Sequence, residues 1–320
     1  MSLTIVFAML LAAAQPDDRQ CVILVIGAAG EPEYGAQFQR WADRWEQAAG
    51  RADARLVRIG DENSDGASDR DSLQAALARE TGESTEPLWL VFIGHGTFDG
   101  RRAKFNIRGP DVSAEEVADW LKPCRRPLAV INCASSSGPF INRLSAKGRV
   151  IVTAAKSGDE HNYARFGEYF SAAILDQSSD LDKDRQTSLL EAFLAASGKV
   201  AEFYAEESRL ASEHALLDDN GDGLGTPASW FQGVRAVRKA KDGTTVDGSR
   251  AHQFHLIRTE RERSIPAAVR ARRDELELAV IRLRDAKERL GQEEYYAQLE
   301  PLLLELARLY EKLDDGGDAL

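Results

Sequence analysis

The sequence predicts an α/β fold, a three-layer sandwich around a mostly parallel sheet, followed by an α-helical hairpin. Three observations predict it. Apolar runs at 21–26, 88–93, 127–132 and 149–155 are rich in Val, Ile, Leu and aromatic residues, the length and composition of buried strands. Stretches with apolar residues at helical spacing separate them, and strands alternating with helices imply parallel pairing with helices on both faces. Beyond residue 266 the chain turns to Ala, Leu, Glu, Lys and Arg, a helical composition. The 320 residues divide accordingly into a leader at 1–15, a sandwich domain at 21–257 and a helical arm at 266–313.

The elements follow in order. Cys21 to Ile26 opens the sheet, and Phe38, Trp41, Ala42 and Trp45 then mark a helix face that packs on it. Residues 55–59 read as a strand. An acidic loop at 61–71 precedes a helix at 73–79, with Ser68 or Asp71 as its cap. The run 88–93 stops at Gly94-His95-Gly96, and the turn signal Phe98-Asp99-Gly100-Arg101 forms a hairpin with 104–108. A helix at 113–121 leads to the run 127–132, which delivers Cys133. A short helix or turn at 141–146 and the strand 149–155 follow. The helix 189–210 turns Phe193, Val200, Phe203 and Tyr204 inward, and strand-like 253–257 closes the domain. In the arm, Val269, Leu276, Val280, Leu283 and Leu290 form one apolar seam, Gly291 interrupts it, and Tyr295, Leu299, Leu302, Leu306, Leu309 and Leu313 resume it.

Charge and cysteine usage narrow the function classes. A net charge of −11 argues against nucleic acid as a partner, because phosphate binding needs a basic surface. No apolar run is long enough for a membrane span. The apolar block 3–14 followed by small residues predicts a secretory signal and a secreted or periplasmic protein, though its n-region lacks Lys and Arg; without export the protein is cytoplasmic. Of three cysteines, Cys133 stays free in an exported protein while Cys21 and Cys124 pair; otherwise all three are unpaired.

The chemistry concentrates at two strand ends. If the runs 88–93 and 127–132 pair in parallel, His95 and Cys133 emerge at the same carboxyl edge, where open α/β sheets build their sites. An imidazole beside a thiol is the minimum for an activated sulfur nucleophile, since the ring takes the thiol proton and later protonates the leaving group. The amides of Gly96 and Cys133 are candidates for an oxyanion hole, and Asn132 for orienting the dyad. Packing alone also explains a buried cysteine or a lone histidine.

An apolar strand ending in His-Gly, then a second ending in Cys with Ser and Gly after it, resembles the cysteine peptidases that group legumains, caspases and gingipains. It looks most like the legumain side, including the glycosylphosphatidylinositol-transamidase relatives. The motifs that match are Gly94 to Gly96 and Asn132 to Gly138. The resemblance implies a caspase-like sandwich, a His95/Cys133 dyad and a cysteine endopeptidase working through a thioester. It further implies that the loop after strand 149–155 walls the substrate pocket, where Asp159 and Glu160 would favour a basic side chain. Ile131 stands where legumains carry an acidic residue, and their Asn-Tyr-Arg-His segment is absent.

Two acidic loops suggest a cation. Asp180, Asp182, Asp184 and Glu191 occupy positions 1, 3, 5 and 12 of a calcium loop at 180–191, with Arg185 in place of the turn glycine. Asp218, Asn220, Asp222 and Gly223 repeat the first half at 218–229, with Ser229 in place of the terminal Glu. Helix capping and Asx turns account equally for both. The chemistry itself needs no cofactor. Alternatives to the peptidase are a non-catalytic calcium-binding scaffold with a vestigial dyad, and acyl transfer to an amine. The partners implied are a peptide or protein substrate and, through the apolar seam of the arm, a second copy of the chain.

Overall fold

The computed structural model describes residues 19–61 and 68–317. The predicted leader at 1–15 lies outside them. Five parallel strands form the body of the sheet: β1 (Cys21–Ile26), β2 (Arg55–Ile59), β3 (Leu88–Ile93), then, after a side hairpin, β7 (Leu128–Asn132) and β8 (Arg149–Thr153). Two short antiparallel strands, β9 (Leu216–Asp218) and β10 (Thr226–Pro227), extend one edge, giving the order β10-β9-β8-β7-β3-β1-β2. The side hairpin is β4 (Gly96–Phe98), β5 (Ala103–Phe105) and β6 (Val112–Ser113), a separate small sheet. A further two-stranded ribbon joins β11 (Phe231–Gln232) to β12 (Arg235–Ala236).

Alternation along each strand divides the core in two, because successive side chains point to opposite faces. Val22, Leu24, Trp89, Val91, Ala129, Ile131 and Cys133 pack on one face against α1 (Pro32–Arg51), α5 (Phe166–Ala173) and α6 (Leu189–Glu206). Ile23, Val25, Leu90, Phe92, Leu128 and Val130 pack on the other against α2 (Asp69–Arg79), α3 (Ala114–Leu121) and α4 (Pro139–Leu144). The protein is a mixed α/β sandwich around a mostly parallel sheet.

Local chemistry starts the helices. Ser68 caps α2 by accepting from the Asp71 amide at 3.1 Å, so Ser68 is the cap and Asp71 lies in the first turn. Ser113 with Glu116 and Ser188 with Glu191 form capping boxes at α3 and α6. Helix α6 ends at Glu206, short of residue 210. The predicted strand at 253–257 does not form: residues 251–253 make a 3-10 turn, and only an isolated bridge joins Ser188 to His255. Among the described residues Cys21, Cys124 and Cys133 form no disulfide, so the expected Cys21–Cys124 pairing is not made.

The arm comprises α7 (Glu260–Ser264), α8 (Ala267–Asp285) and α9 (Gln292–Gly317), broken over residues 286–291 rather than at Gly291 alone. Leu276, Leu278, Leu283 and Tyr295 are buried, while Tyr296, Leu303, Leu304 and Tyr310 of α9 face outward. No helix among the described residues is long and apolar enough to cross a membrane.

Candidate active site

Strands β3 and β7 are parallel neighbours in the register Leu88 to Leu128 through Phe92 to Asn132. His95 lies just beyond the end of one and Cys133 just beyond the other, so both sit at the carboxyl edge. They also share a face. The His95 ring lies edge-on to Tyr34 (centroids 4.9 Å) and Phe38 (5.1 Å) on α1 and to Tyr163 (6.1 Å). Its Nε2 faces the Ala29 carbonyl at 3.2 Å. Cys133 points the same way, into the cluster that holds Trp41 and Phe166.

Cys133 is 1% exposed. A Cβ at position 167 would fall 2.6 Å from the Cys133 Cβ and 2.8 Å from the Trp41 ring, so only glycine lets α5 settle over the sulfur. Burial, reinforced by the nearby Glu213 carboxylate, pushes the thiol well above its ordinary range. Burial also lowers the His95 pKa, opposed in part by the hydrogen bond to Ala29. Among the described residues no hydrogen bond joins His95 to Cys133.

The proposed oxyanion donors are largely committed elsewhere. The Cys133 amide donates to the Phe92 carbonyl at 2.9 Å as a rung of the sheet, which removes it from an oxyanion hole in this conformation. The Gly96 amide has only a long contact to Ser135 Oγ, 3.4 Å. Gly96 owes its identity to packing, since a Cβ there would strike the Ser135 carbonyl at 2.2 Å. Asn132 shapes the turn after Cys133 by accepting from the Ala134 amide at 3.1 Å, while its Nδ2 is buried without a partner.

Glu160 does not present a free charge to a pocket. Its carboxylate meets His214 Nδ1 at 2.5 Å and accepts from the Lys156 amide at 2.9 Å. Asp159 is exposed beside it. The loop carrying them packs under the side hairpin, where Gly158 lies against the Phe98 ring. Next to His95, a cavity of about 1090 Å³ is lined by the 26–32 turn, Phe38 and Arg58, with Ala29 and Phe38 common to both. The paired charges there, Arg58 with Asp61 and Arg108 with Asp69, are internally compensated.

The sequence misses four groups around His95 and Cys133: Tyr34, Tyr163, Gly167 and Glu213. Tyr34 stacks on Tyr163 at 4.8 Å, and the Tyr163 hydroxyl donates to Gln37. Aromatic residues at helical spacing in 34–45 are a visible signal for α1, but nothing local in 163–167 or 213 says that these reach Cys133.

Of the acidic loops, the first brings Asp180, Asp182 and Asp184 together, with carboxylate oxygens within 4.8 Å of one another. Glu191 is spent on the backbone: Oε1 accepts from Leu181 (2.7 Å) and Asp182 (3.3 Å), and Oε2 from the Ser188 amide (2.8 Å) and hydroxyl (2.7 Å). His252 Nε2 lies 3.0 Å from Asp182. In the second loop Asp218, Asn220 and Asp222 sit at the far end of β9, away from the carboxyl edge.

No protein-family model matches the chain, and no curated protein matches it. Solved structures are similar in part. The initiator caspase Dronc of Drosophila is 15% identical, with a TM-score of 0.43 over 64% of this chain and 80% of that one. Caspase-1 of Spodoptera frugiperda is 7% identical, with a TM-score of 0.42 over 63% and 89%. Raptor of Chaetomium thermophilum is 10% identical, with a TM-score of 0.34 over 49% and 17%. The chain is an α/β sandwich with His95 and Cys133 at the carboxyl edge of neighbouring strands, on a shared face.

Proposed function

We propose that the chain is a cysteine peptidase of the caspase-like type, described here with its nucleophile covered. The observation that supports this reading is the β3/β7 register, which brings the segments that carry His95 and Cys133 to one carboxyl edge, where such sheets do chemistry. Cys133 gives its proton to His95 and its sulfur attacks the peptide carbonyl. The C–N bond then breaks, His95 protonates the departing amine, and water hydrolyses the thioester. The lowered His95 pKa keeps the ring neutral, and so basic, at neutral pH. With Nε2 turned to Ala29, Nδ1 is the nitrogen left for the thiol. Substrate entry requires α5 and the Trp41 ring, which close over Cys133 at Gly167, to move off the sulfur. Asp159 remains the one exposed acid on that rim.

Profiling against a peptide library tests the proposal. Cys133→Ala and His95→Ala should each lower kcat by about 10³-fold or more. Unchanged cleavage by Cys133→Ala ends it. Adding an amine acceptor separates hydrolysis from transfer, the latter yielding an amide product.

A second reading is supported by the burial of Cys133: a scaffold that keeps the fold and a vestigial dyad. It expects no peptide cleavage and no iodoacetamide labelling of the native thiol, whereas the peptidase labels slowly through opening and loses most of that labelling in His95→Ala.

A further inference from the structure

The two acidic loops adopt one backbone pattern. Position 1 accepts from position 4, Asp180 from the Lys183 amide at 2.7 Å and Asp218 from the Gly221 amide at 3.1 Å. Position 3 accepts from position 5, Asp182 from Asp184 (3.2 Å) and Asn220 from Asp222 (2.9 Å). Position 5 accepts from position 7, Asp184 from Gln186 (2.8 Å) and Asp222 from Leu224 (2.9 Å). Position 6 is left-handed in both, Arg185 at φ 73° and Gly223 at φ 77°. This is the turn that wraps oxygens about a hard cation.

Charge distinguishes them. In the first loop Lys183 Nζ donates to the Asp180 carbonyl at 2.5 Å, His252 Nε2 lies 3.0 Å from Asp182, and Glu191 is saturated by backbone amides and the Ser188 hydroxyl. In the second, no Lys, Arg or His pairs with Asp218 or Asp222 among the described residues. Asp218 is 0% exposed, and its carboxylate is divided. Oδ1 accepts from Gly221 and from Ser145 Oγ at 3.2 Å, while Oδ2 is buried with no partner at all. A buried carboxylate oxygen without a donor is expensive, and a cation in the loop removes the deficit.

We propose that the loop 218–224 binds one calcium ion through Asp218 Oδ2, Asn220 and Asp222, and that the loop 180–185 does not. Oxygen-only donors select a hard ion, and a flexible loop favours calcium over magnesium, which demands near-ideal octahedral geometry. Because Ser229 stands where a bidentate Glu would be, the affinity falls toward the weak end, a dissociation constant on the order of 10⁻⁵ to 10⁻³ M. The ion would brace the region after Cys133, since Asn142 of α4 donates to the Gly223 carbonyl at 2.8 Å and Ser145 accepts from the Gly223 amide at 3.0 Å.

Calorimetric titration of the chelator-treated full chain with calcium chloride, paired with thermal melting, tests this. The expected result is one calcium per chain and a rise in Tm, with binding weakened at least about tenfold in Asp218→Asn and Asp222→Asn and unchanged in Asp184→Asn. Without calcium, Asp218→Asn should melt at or above the wild type, because it removes an unpaired buried charge. Should that variant fail to fold, Asn220→Ala, which keeps the acid, carries the same expected loss of affinity. Absence of binding at about 10 mM calcium, equal binding of magnesium, or loss of binding in Asp184→Asn but not in Asp218→Asn or Asp222→Asn overturns the proposal.

Discussion

Burial raises the pKa of the Cys133 thiol most, and Glu213 adds to it. Glu213 is itself buried, its two oxygens accept from the Arg165 and Phe166 amides at 2.9–3.0 Å, and burial raises its pKa despite those bonds. A carboxyl whose folded pKa is raised contributes stability that is complete below its unfolded pKa and fades as pH rises through the folded value. Glu213→Gln should therefore flatten the stability profile above the ordinary carboxylate range, and gain on the wild type as pH rises, read in urea midpoints. The same change removes a negative charge that opposes the Cys133 thiolate, so alkylation of Cys133 at pH 8 should quicken severalfold. A second prediction concerns packing. Gly167→Ala should destabilise the protein by about 1–3 kcal/mol, measured by denaturant unfolding, because the added methyl meets both Cys133 and Trp41. His95 and Cys133 were legible as residue types at strand ends. The cage around them was not, because Tyr34, Tyr163 and Glu213 come from three separate segments that only folding assembles.

Among the elements, α5 shows what periodicity misses. It has eight residues, no side-chain cap of its own and an Arg165 in helical conformation at its start, so no local signal announces it. Its first amides are satisfied by Glu213, supplied from beyond α6. Helix α6 is the opposite case, with its capping box written in Ser188 and Glu191. That same Glu191 was also legible as a calcium ligand, and the choice between the two roles depends on where its oxygens point. Glu191→Ala should cost about 1–3 kcal/mol by thermal or urea unfolding, since it leaves the buried Ser188 amide and the Leu181 amide without their acceptor. The predicted strand at 253–257 failed for a related reason: the β-bridge of His255 is an isolated one to Ser188, at the start of a helix, so no ladder extends.

Across the whole molecule, the arm is held by charge as much as by its apolar seam. Glu86, at the entry to β3, pairs with Arg258 at 2.6 Å and with Arg270 of α8, all three side chains largely removed from solvent. Removing the shared carboxylate takes a buried anionic partner from two guanidinium groups, so Glu86→Ala should lose about 3–5 kcal/mol in chemical denaturation. Hydrogen exchange should accelerate first in α8 and α9, while the sheet amides stay protected. Faster exchange confined to β3 would mean that the triad supports the sheet and not the arm.

What the sequence determined by itself is whatever depends on short-range chemistry. Strand runs, Ser caps, the helical arm and the placement of His95 and Cys133 at strand ends follow from hydrophobic periodicity and turn residues, which act over a few positions. Only the tertiary structure decided the state of the site. Whether the Cys133 amide is a sheet rung or an oxyanion donor, whether Glu160 meets His214, and whether Asp218 or Asp180 keeps an oxygen without a partner depend on contacts between distant segments. Burial and hydrogen bonding set charge and reactivity, and both belong to the packed molecule rather than to any stretch of the chain.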